Sequence, residues 1–392
     1  MNNLLSSVKV FNLSALKFLL IIMVPSFVFA YFQFSSLFFG LVLVFAFIFL
    51  TSKKINVKFS MNFIFTSLIL ICYSFIAVGM GGDFFKVFSS AFILCVMIFL
   101  LVSSLKKLDY EVNSTLINSI SVIYYLFLAL GFLALLIKFP YGGYSFRHGS
   151  VFPFAEYSHF AIAFCFFALL YQLACKSNKG IIHCLPTFIL GVAFPNLTTI
   201  IVGVLQLFII RTKYKLLIFI LSAFIIFPII YFFMQDYVLS RLVFNEENRN
   251  LSNLVYLQGA ETALNSLLST YGLGLGFQNI GAQEPGYFTE LIRTVTNGED
   301  LNRLDGGFLA AKIISEFGLL GVFFCIFVIV NFFKVCKIVW FYDYPNRFLF
   351  LLYAASSGQI MIELFVRGYG YFSPGFIIFL ALYFLRSKIL SL

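Results

Sequence analysis

The sequence predicts an all-α, polytopic integral membrane protein with about twelve transmembrane helices and one large loop or cap on the outer side. Three observations predict this fold. Hydrophobic residues make up 61% of the 392 residues and charged residues only 11%, whereas roughly a quarter of the residues in a soluble domain are charged. The apolar runs are about twenty residues long, as membrane helices require. One long polar stretch, residues 235–307, interrupts them.

The apolar runs define the predicted spans in order. The first six lie near 14–32, 34–51, 61–79, 84–104, 116–137 and 156–175. Two short spans follow near 181–194 and 196–211, and the last four lie near 215–234, 308–333, 347–366 and 371–387. Segment 181–211 is long enough for one helix, but Pro186 and the Pro195-Asn196 pair interrupt its pattern and favour two.

Charge placement predicts the orientation. With twelve spans and a cytoplasmic N-terminus, seventeen of the 26 basic residues fall on the cytoplasmic side, nearly all in short loops where the positive-inside rule applies. One span over 181–211 would instead put basic clusters on opposite sides. We therefore predict a multi-pass membrane protein with both termini cytoplasmic. The net charge of +10 then reflects topology and gives no indication of nucleic-acid binding.

Polar residues concentrate in two outer segments, 138–156 and 235–307, of what is otherwise a single membrane domain over 1–392. In the larger segment, apolar positions from Leu251 to Leu268 follow helical spacing, and residues 272–307 are predicted to be an irregular loop. Glu261 lies on the apolar side of this helix, so its carboxylate needs a partner, and we expect an arginine.

Ionisable groups at a membrane mouth are energetically costly and therefore usually functional. Glu156 and His159 are three residues apart at the outer end of the sixth span, which places them on one helix face. Arginines recur on the same side, and a guanidinium binds phosphate or diphosphate in a bidentate manner. The alternatives are interfacial anchoring and pairing with outer acids. The arginines are Arg147, Arg241, Arg249, Arg293, Arg303 and Arg367.

Other patterns limit the chemistry. Glu363 with Arg367, and Lys312 with Glu316, have the i, i+4 spacing of self-satisfied ion pairs. The sequence contains no phosphate-binding loop of the ATPase type and no Asp-x-Asp pair. The seven cysteines show neither a disulfide framework nor zinc spacing. We therefore predict no cofactor and no metal.

Several short motifs resemble those of the bacterial O-antigen polymerase (Wzy) family, within the wider O-antigen polymerase and ligase superfamily. The segment Arg147-His-Gly-Ser-Val-Phe, followed by Glu156-Tyr-Ser-His-Phe-Ala161, is similar to the family pattern R-x-G-x-F-x-E-P-S-x-F-A, with Tyr157 at the proline position. Further similarities are Arg241 to Arg249, Tyr271-Gly-Leu-Gly-Leu-Gly276, and Asp305-Gly-Gly-Phe with Glu316-Phe-Gly-Leu-Leu-Gly321. Together they span residues 140–321.

The resemblance implies a glycosyltransferase of lipopolysaccharide biosynthesis. It would transfer the growing glycan from undecaprenyl diphosphate to the non-reducing-end sugar of an incoming lipid-linked repeat unit, at the periplasmic face of the bacterial inner (cytoplasmic) membrane. The implied partners are this undecaprenyl-diphosphate-linked oligosaccharide and the lipid bilayer, and a chain-length regulator in the membrane is left open.

The residues can be assigned to this chemistry as hypotheses. Arginines would bind the diphosphate and stabilise the leaving group, and Glu156 or His159 would serve as the base. The predicted catalytic residues are Glu156, His159, Arg147, Arg241 and Arg249. The predicted substrate-binding residues are His148, Arg293, Arg303, Asp305, Glu261 and Arg367.

Two rival functions remain at this point. O-antigen ligases share the topology but typically place a catalytic histidine in the large loop, whereas none of the three histidines here lies in 235–307. A polysaccharide repeat-unit flippase, which is a non-enzymatic transporter, would not need a cap of about seventy residues and would carry charge at the membrane midplane. Both observations favour a polymerase.

Overall fold

The computed structural model describes residues 12–34, 36–51, 61–108, 110–137, 151–175, 180–210, 224, 228, 232, 250–341 and 347–390. Among these residues every regular element is a helix. The first eight helices are α1 Leu13–Phe32, α2 Phe38–Thr51, α3 Met61–Gly79, α4 Phe84–Leu105, α5 Ser114–Leu136, α6 Tyr157–Cys175, α7 Gly180–Ala193 and α8 Leu197–Ile209. The remaining six are α9 Leu251–Ser269, α10 Tyr287–Val295, α11 Leu309–Phe341, α12 Phe348–Phe365, α13 Pro374–Phe384 and α14 Arg386–Leu390.

The helices match the predicted spans closely. By length and composition, seven helices in the described part of the chain can cross a membrane, namely α1, α3, α4, α5, α6, α11 and α12. Four shorter apolar helices, α2, α7, α8 and α13, lie at four further predicted spans. The helical fold class is therefore confirmed. The total of twelve spans stays a prediction, because the predicted span at 215–234 lies almost wholly outside the described residues.

Segment 181–211 forms two helices, α7 and α8, as its prolines predicted. The turn between them is closed by Asn196, whose side-chain oxygen accepts a hydrogen bond from the Thr199 N–H at 3.1 Å and so caps α8. The two helices pack against each other. Thr187 donates a buried hydrogen bond of 2.7 Å to the Gln206 side chain across this contact, which is the kind of polar link that joins helices in membranes.

Two helices form the centre of the bundle. Of the apolar stretch that is long enough to cross a membrane, 89% is buried inside the protein in both α6 and α12. In the five other long apolar helices the buried share is 17–44%. The two helices pack together so closely that a Cβ added at Gly358 would lie 2.4 Å from Leu169. Residues at the ends of these helices are consequently held by a rigid core.

Helix α11 is broken at Gly318, where φ is +58°. A break in a membrane helix leaves backbone groups that must find new partners. Residues 272–276, at the start of the predicted irregular loop, supply them: the N–H groups of Leu275 and Gly276 donate to the carbonyls of Ser315 and Glu316, each at 2.9 Å. The Gly-Leu-Gly-Leu-Gly motif is thus a docking segment that joins the polar cap to a membrane helix.

Substitution of Gly276 by alanine should destabilise the protein strongly. Gly276 has φ +86°, and an added Cβ would lie 2.2 Å from the Ala77 backbone nitrogen. Gly298, with φ +100° and nothing within 4 Å, is the matched control. We expect a loss of about 1 kcal/mol for Gly298→Ala and about 3 kcal/mol for Gly276→Ala, where steric overlap adds to the backbone term. Thermal-unfolding midpoints in detergent measure both, and equal shifts would contradict the docking role.

Candidate active site

The cap segment 250–307 is fixed to one end of the bundle. Helix α9 packs along α11, and the Tyr256 ring stacks on Phe308 with centroids 4.2 Å apart. The Tyr256 hydroxyl also donates to the Phe365 carbonyl, at 3.2 Å. Phe365 is the last residue of the central helix α12, so the cap lies beside the end of the bundle core.

Two expectations for the cap were wrong. Segment 272–307 is not wholly irregular, because it contains helix α10. The partner of Glu261 is also different from the expected arginine: its carboxylate accepts hydrogen bonds from the N–H groups of Tyr287 and Phe288, at 2.8 and 3.0 Å. These are the free amides of the first turn of α10, where a negative charge is favourable. Helix α10 was missed because it is short and its capping residue lies in another helix.

Arg293 and Arg303 are engaged within the cap. Arg293 Nε and Nη1 donate to Asp300 Oδ1 and Glu290 Oε1, both at 2.6 Å. Arg303 donates to Asp300 Oδ2 at 3.2 Å and to the Gln283 carbonyl at 2.7 Å. Both arginines therefore pair with acidic residues of the cap, which was the alternative to phosphate binding. A substrate contact for these two arginines stays a prediction.

The cap cluster gives a pH prediction. Hydrogen bonds from Arg293 and Arg303 hold the pKa of Asp300 below its ordinary value of 3.8. A lowered folded-state pKa contributes stability above the unfolded value, and this contribution is lost as the pH falls through the lowered one. We therefore expect hydrogen-exchange protection factors around Asp300 to be constant above about pH 4 and to fall below it. In Asp300→Asn this step should disappear; an unchanged step would contradict the assignment.

The strongest candidate for a reactive site is the entrance cluster, formed by Glu156, His159, Arg367 and Tyr369 at the cap end of the bundle. Arg367 Nη2 donates to Glu156 Oε2 at 3.2 Å, and His159 Nε2 lies 3.7 Å from the same oxygen. The Tyr369 ring packs on His159 with centroids 4.2 Å apart. The Glu156 side chain is 51% exposed, Arg367 is 24% exposed and His159 only 9%.

Local sequence explains the position of Glu156. A tight turn precedes it, in which the Phe154 N–H donates to the Val151 carbonyl at 2.5 Å. The side chains of Val151 and Phe154 are fully buried. The Glu156 carbonyl then accepts from the His159 N–H at 3.1 Å in the first turn of α6. The predicted shared face of Glu156 and His159 is therefore confirmed.

Residues 366–373 connect α12 to α13 and carry Arg367 and Tyr369; we call them the entrance loop. On its far side the Tyr371 hydroxyl donates to Glu316 Oε2 at 2.7 Å, and Ser373 donates to Glu363. The expected Glu363–Arg367 pair is wrong, because α12 ends at Phe365 and the two residues do not share a helix face. Arg367 reaches Glu156 instead.

The expected pairing of Lys312 with Glu316 holds in a wider network. Lys312 Nζ lies 4.0 Å from Glu316 Oε1 and 3.9 Å from Asp305 Oδ1. The fully buried Glu316 also accepts from the Gln278 N–H at 2.8 Å. One carboxylate thus joins the cap, α11 and the entrance loop. Asp305 is 57% exposed, and its Oδ1 would lie 3.9 Å from a Cβ added at Gly370 of the entrance loop. An exposed carboxylate thus lies beside this loop.

The remaining predicted site residues lie outside the described residues: Arg147, His148, Arg241 and Arg249. Sequence reasoning missed Tyr369 and Tyr371. A signal was present in Arg367-Gly-Tyr-Gly-Tyr371, where hydroxyl-bearing aromatics alternate with glycines directly after a predicted span. Tyrosine hydroxyls usually find a hydrogen-bond partner when they are buried, so this pattern indicates a polar site.

Chemically, the entrance cluster combines a solvent-exposed carboxylate with a guanidinium and a buried imidazole. Such a set can accept a proton and bind an anion. Among the described residues, no group of three or more His, Cys, Asp or Glu side chains is placed to hold a metal ion. Comparison of the chain with protein-family models, with curated proteins and with solved structures finds no match.

Proposed function

We propose that this protein is a membrane glycosyltransferase that polymerises undecaprenyl-diphosphate-linked repeat units of a surface polysaccharide such as O-antigen, at the periplasmic face of the bacterial inner membrane. One observation carries the proposal: the exposed Glu156 carboxylate is held between Arg367 and His159, at the bundle end that bears the cap. A proton acceptor beside a cation at this end of the bundle supports the proposal, because lipid-linked sugars present their head groups at a membrane boundary.

In the proposed reaction, a hydroxyl of the incoming repeat unit attacks the anomeric carbon of the growing glycan. The new glycosidic bond forms as the bond from that carbon to the diphosphate oxygen breaks. Undecaprenyl diphosphate leaves with the bonding electron pair, and the hydroxyl proton passes to a base. No oxidant or reductant is needed, so the reaction requires one base and positive charge at the leaving group.

The residues of the entrance cluster suit these two roles. Glu156 is the base, because its carboxylate is exposed to an acceptor sugar while its neighbours are more buried. Arg367 supplies positive charge where many glycosyltransferases use a metal ion. His159 is packed between Phe29, with centroids 6.0 Å apart, and Tyr369, so it orients Glu156 from a fixed position. Asp305, an exposed carboxylate beside the entrance loop, is a second candidate contact for sugar hydroxyls.

A gel of lipopolysaccharide from cells lacking the gene tests the proposal. A polymerase predicts lipid A–core that carries a single repeat unit, with long chains restored by the wild-type gene. Core without any repeat unit would instead support a ligase or a flippase. Unchanged chain length would contradict all three functions and would remove the polysaccharide assignment.

A further inference from the structure

We propose that Tyr369 is a further substrate-binding residue, whose hydroxyl and the Arg367 Nε–H together bind phosphate oxygens of the lipid-linked diphosphate and thereby displace Glu156 from Arg367. The inference rests on the proposed function for the identity of the lipid-linked ligand. The oxyanion chemistry itself follows from two buried donors that have no hydrogen-bond partner in the described ranges of the chain.

Two buried donors of the entrance loop have no hydrogen-bond partner among the described residues. They are the Tyr369 hydroxyl and Arg367 Nε. A buried donor without a partner destabilises the folded state, so an unpaired donor in a folded protein needs an explanation. Here two of them lie two residues apart, beside the candidate base. A ligand with several acceptor oxygens would satisfy both.

The geometry of Arg367 identifies the class of ligand. Nη2 and Nε lie on the same edge of a guanidinium and form the two-pronged donor that matches two oxygens of a phosphate. Within the described part of the chain, Nη2 donates to a single Glu156 oxygen at 3.2 Å, and Nε has no partner. A carboxylate bound in this way leaves half of the donor pair free. A phosphate, with more oxygens and more charge, can occupy both prongs.

The Tyr369 hydroxyl is suited to the third contact. Burial, followed by the nearby Glu156 carboxylate, holds the pKa of Tyr369 well above its ordinary value, so the hydroxyl keeps its proton and remains a donor. It cannot replace the Arg367 charge, but it adds a charge-assisted hydrogen bond to an anion.

The entrance loop is preorganised for this role. A Cβ added at Gly368 would lie 2.7 Å from the Glu363 carbonyl oxygen and 2.8 Å from the Leu309 nitrogen, so the loop is pressed against two helix ends. Tyr371 and Ser373 tie its second half to buried carboxylates. Donors held in advance bind a developing charge without a reorganisation cost.

Replacement of Glu156 by the diphosphate as the partner of Arg367 would couple binding of the donor substrate to proton acceptance from the acceptor substrate. Glu156 is the more exposed partner of the ion pair, so its side chain can leave without disturbing the core. Once a diphosphate holds Arg367, the Glu156 carboxylate is free of the guanidinium and can accept the proton of the acceptor hydroxyl. The base would thus become available only when the donor substrate is bound.

Calorimetric titration of the full chain in lipid nanodiscs tests this directly. The probes are farnesyl diphosphate, inorganic pyrophosphate and uncharged farnesol. We expect wild-type protein to bind farnesyl diphosphate but not farnesol, and Tyr369→Phe to raise the Kd about tenfold, the effect of one hydrogen bond to a charged group. Arg367→Lys keeps the charge but loses the two-pronged donor, and should raise the Kd for farnesyl diphosphate at least tenfold. Glu156→Gln should lower the Kd, because the competing carboxylate is removed.

Matched controls are Tyr287→Phe, an exposed cap tyrosine, and Arg386→Lys, at the start of α14; both should bind as the wild type does. Equal binding of pyrophosphate would identify the free anion as sufficient, whereas tighter binding of farnesyl diphosphate would indicate a lipid-linked ligand. A Tyr369→Phe variant within twofold of the wild type, or a Glu156→Gln variant that binds more weakly, would overturn the inference.

The binding assay is independent of polymerisation. If Tyr369 proves necessary for diphosphate binding but gene deletion leaves chain length unchanged, the proposed function fails and the oxyanion site stands. If deletion gives single repeat units but Tyr369→Phe binds normally, the function stands and the site fails. A tightened Glu156→Gln complex cannot result from misfolding, so that variant keeps the test decisive even if Tyr369→Phe proves unstable.

Discussion

Replacement of Glu156 by glutamine is expected to reduce polymerisation by about 10²- to 10⁴-fold, the usual contribution of a general base. The amide retains the size of the side chain and can still accept a hydrogen bond from Arg367. It cannot accept the proton of the acceptor hydroxyl. Because the side chain is 51% exposed, the fold should not change. Gels of complemented deletion cells would show single repeat units, with normal amounts of protein in the membrane.

Glu284 provides the control for this substitution. It is an exposed glutamate of the cap, so Glu284→Gln alters the same functional group outside the entrance cluster and should leave chain length unchanged. Full polymerisation by Glu156→Gln would exclude Glu156 as the base and direct attention to Asp305, the other exposed carboxylate beside the entrance loop.

Replacement of Glu316 by alanine is expected to have the largest effect on stability. The carboxylate is fully buried and accepts from the Gln278 N–H, from the Tyr371 hydroxyl and, at 3.4 Å, from the Ile280 N–H. Its removal leaves these three donors without their acceptor. It also removes the buried carboxylate beside Lys312, whose hydrogen bond to the Leu304 carbonyl at 2.7 Å remains. Breaking a buried charged network of this kind costs about 3–5 kcal/mol. The thermal-unfolding midpoint in detergent should therefore fall clearly.

Two comparisons sharpen this expectation. Glu299→Ala removes an exposed cap carboxylate and should change the midpoint little, since surface charges contribute about 0–1 kcal/mol. Tyr371→Phe removes one of the donors to Glu316 and should cost less than the loss of the whole carboxylate. Equal midpoints for Glu316→Ala and Glu299→Ala would show that Glu316 does not join the cap to the bundle.

The sequence predicted what depends on local pattern. Apolar runs placed the helices because membrane burial requires continuous hydrophobicity, and Pro195-Asn196 placed the turn before α8 because the asparagine caps that helix. Glu156 and His159 were correctly assigned to one face because Glu156 directly precedes α6 and His159 lies in the first turn of that helix. These are properties of neighbours in the chain.

The sequence could not predict pairings between distant segments. Glu156 and Arg367 are 211 residues apart, and only the packing of α6 on α12 brings them together. The expected Glu363–Arg367 pair was wrong because it assumed that α12 continues past Phe365, whereas the chain turns there. Glu261 likewise accepts hydrogen bonds from the backbone amides of a helix that begins 26 residues later, and no local spacing indicates such a partner.

The most direct test of the account is polymerisation by the purified protein in nanodiscs supplied only with undecaprenyl-diphosphate-linked repeat units. Mass spectrometry of the lipid products follows the reaction. We expect glycans of two and more repeat units on one undecaprenyl diphosphate, with one released undecaprenyl diphosphate for each bond formed and no added metal or nucleotide. Repeat units that remain single, with wild-type protein folded and able to bind diphosphate, would contradict the assignment of this membrane protein as a polymerase.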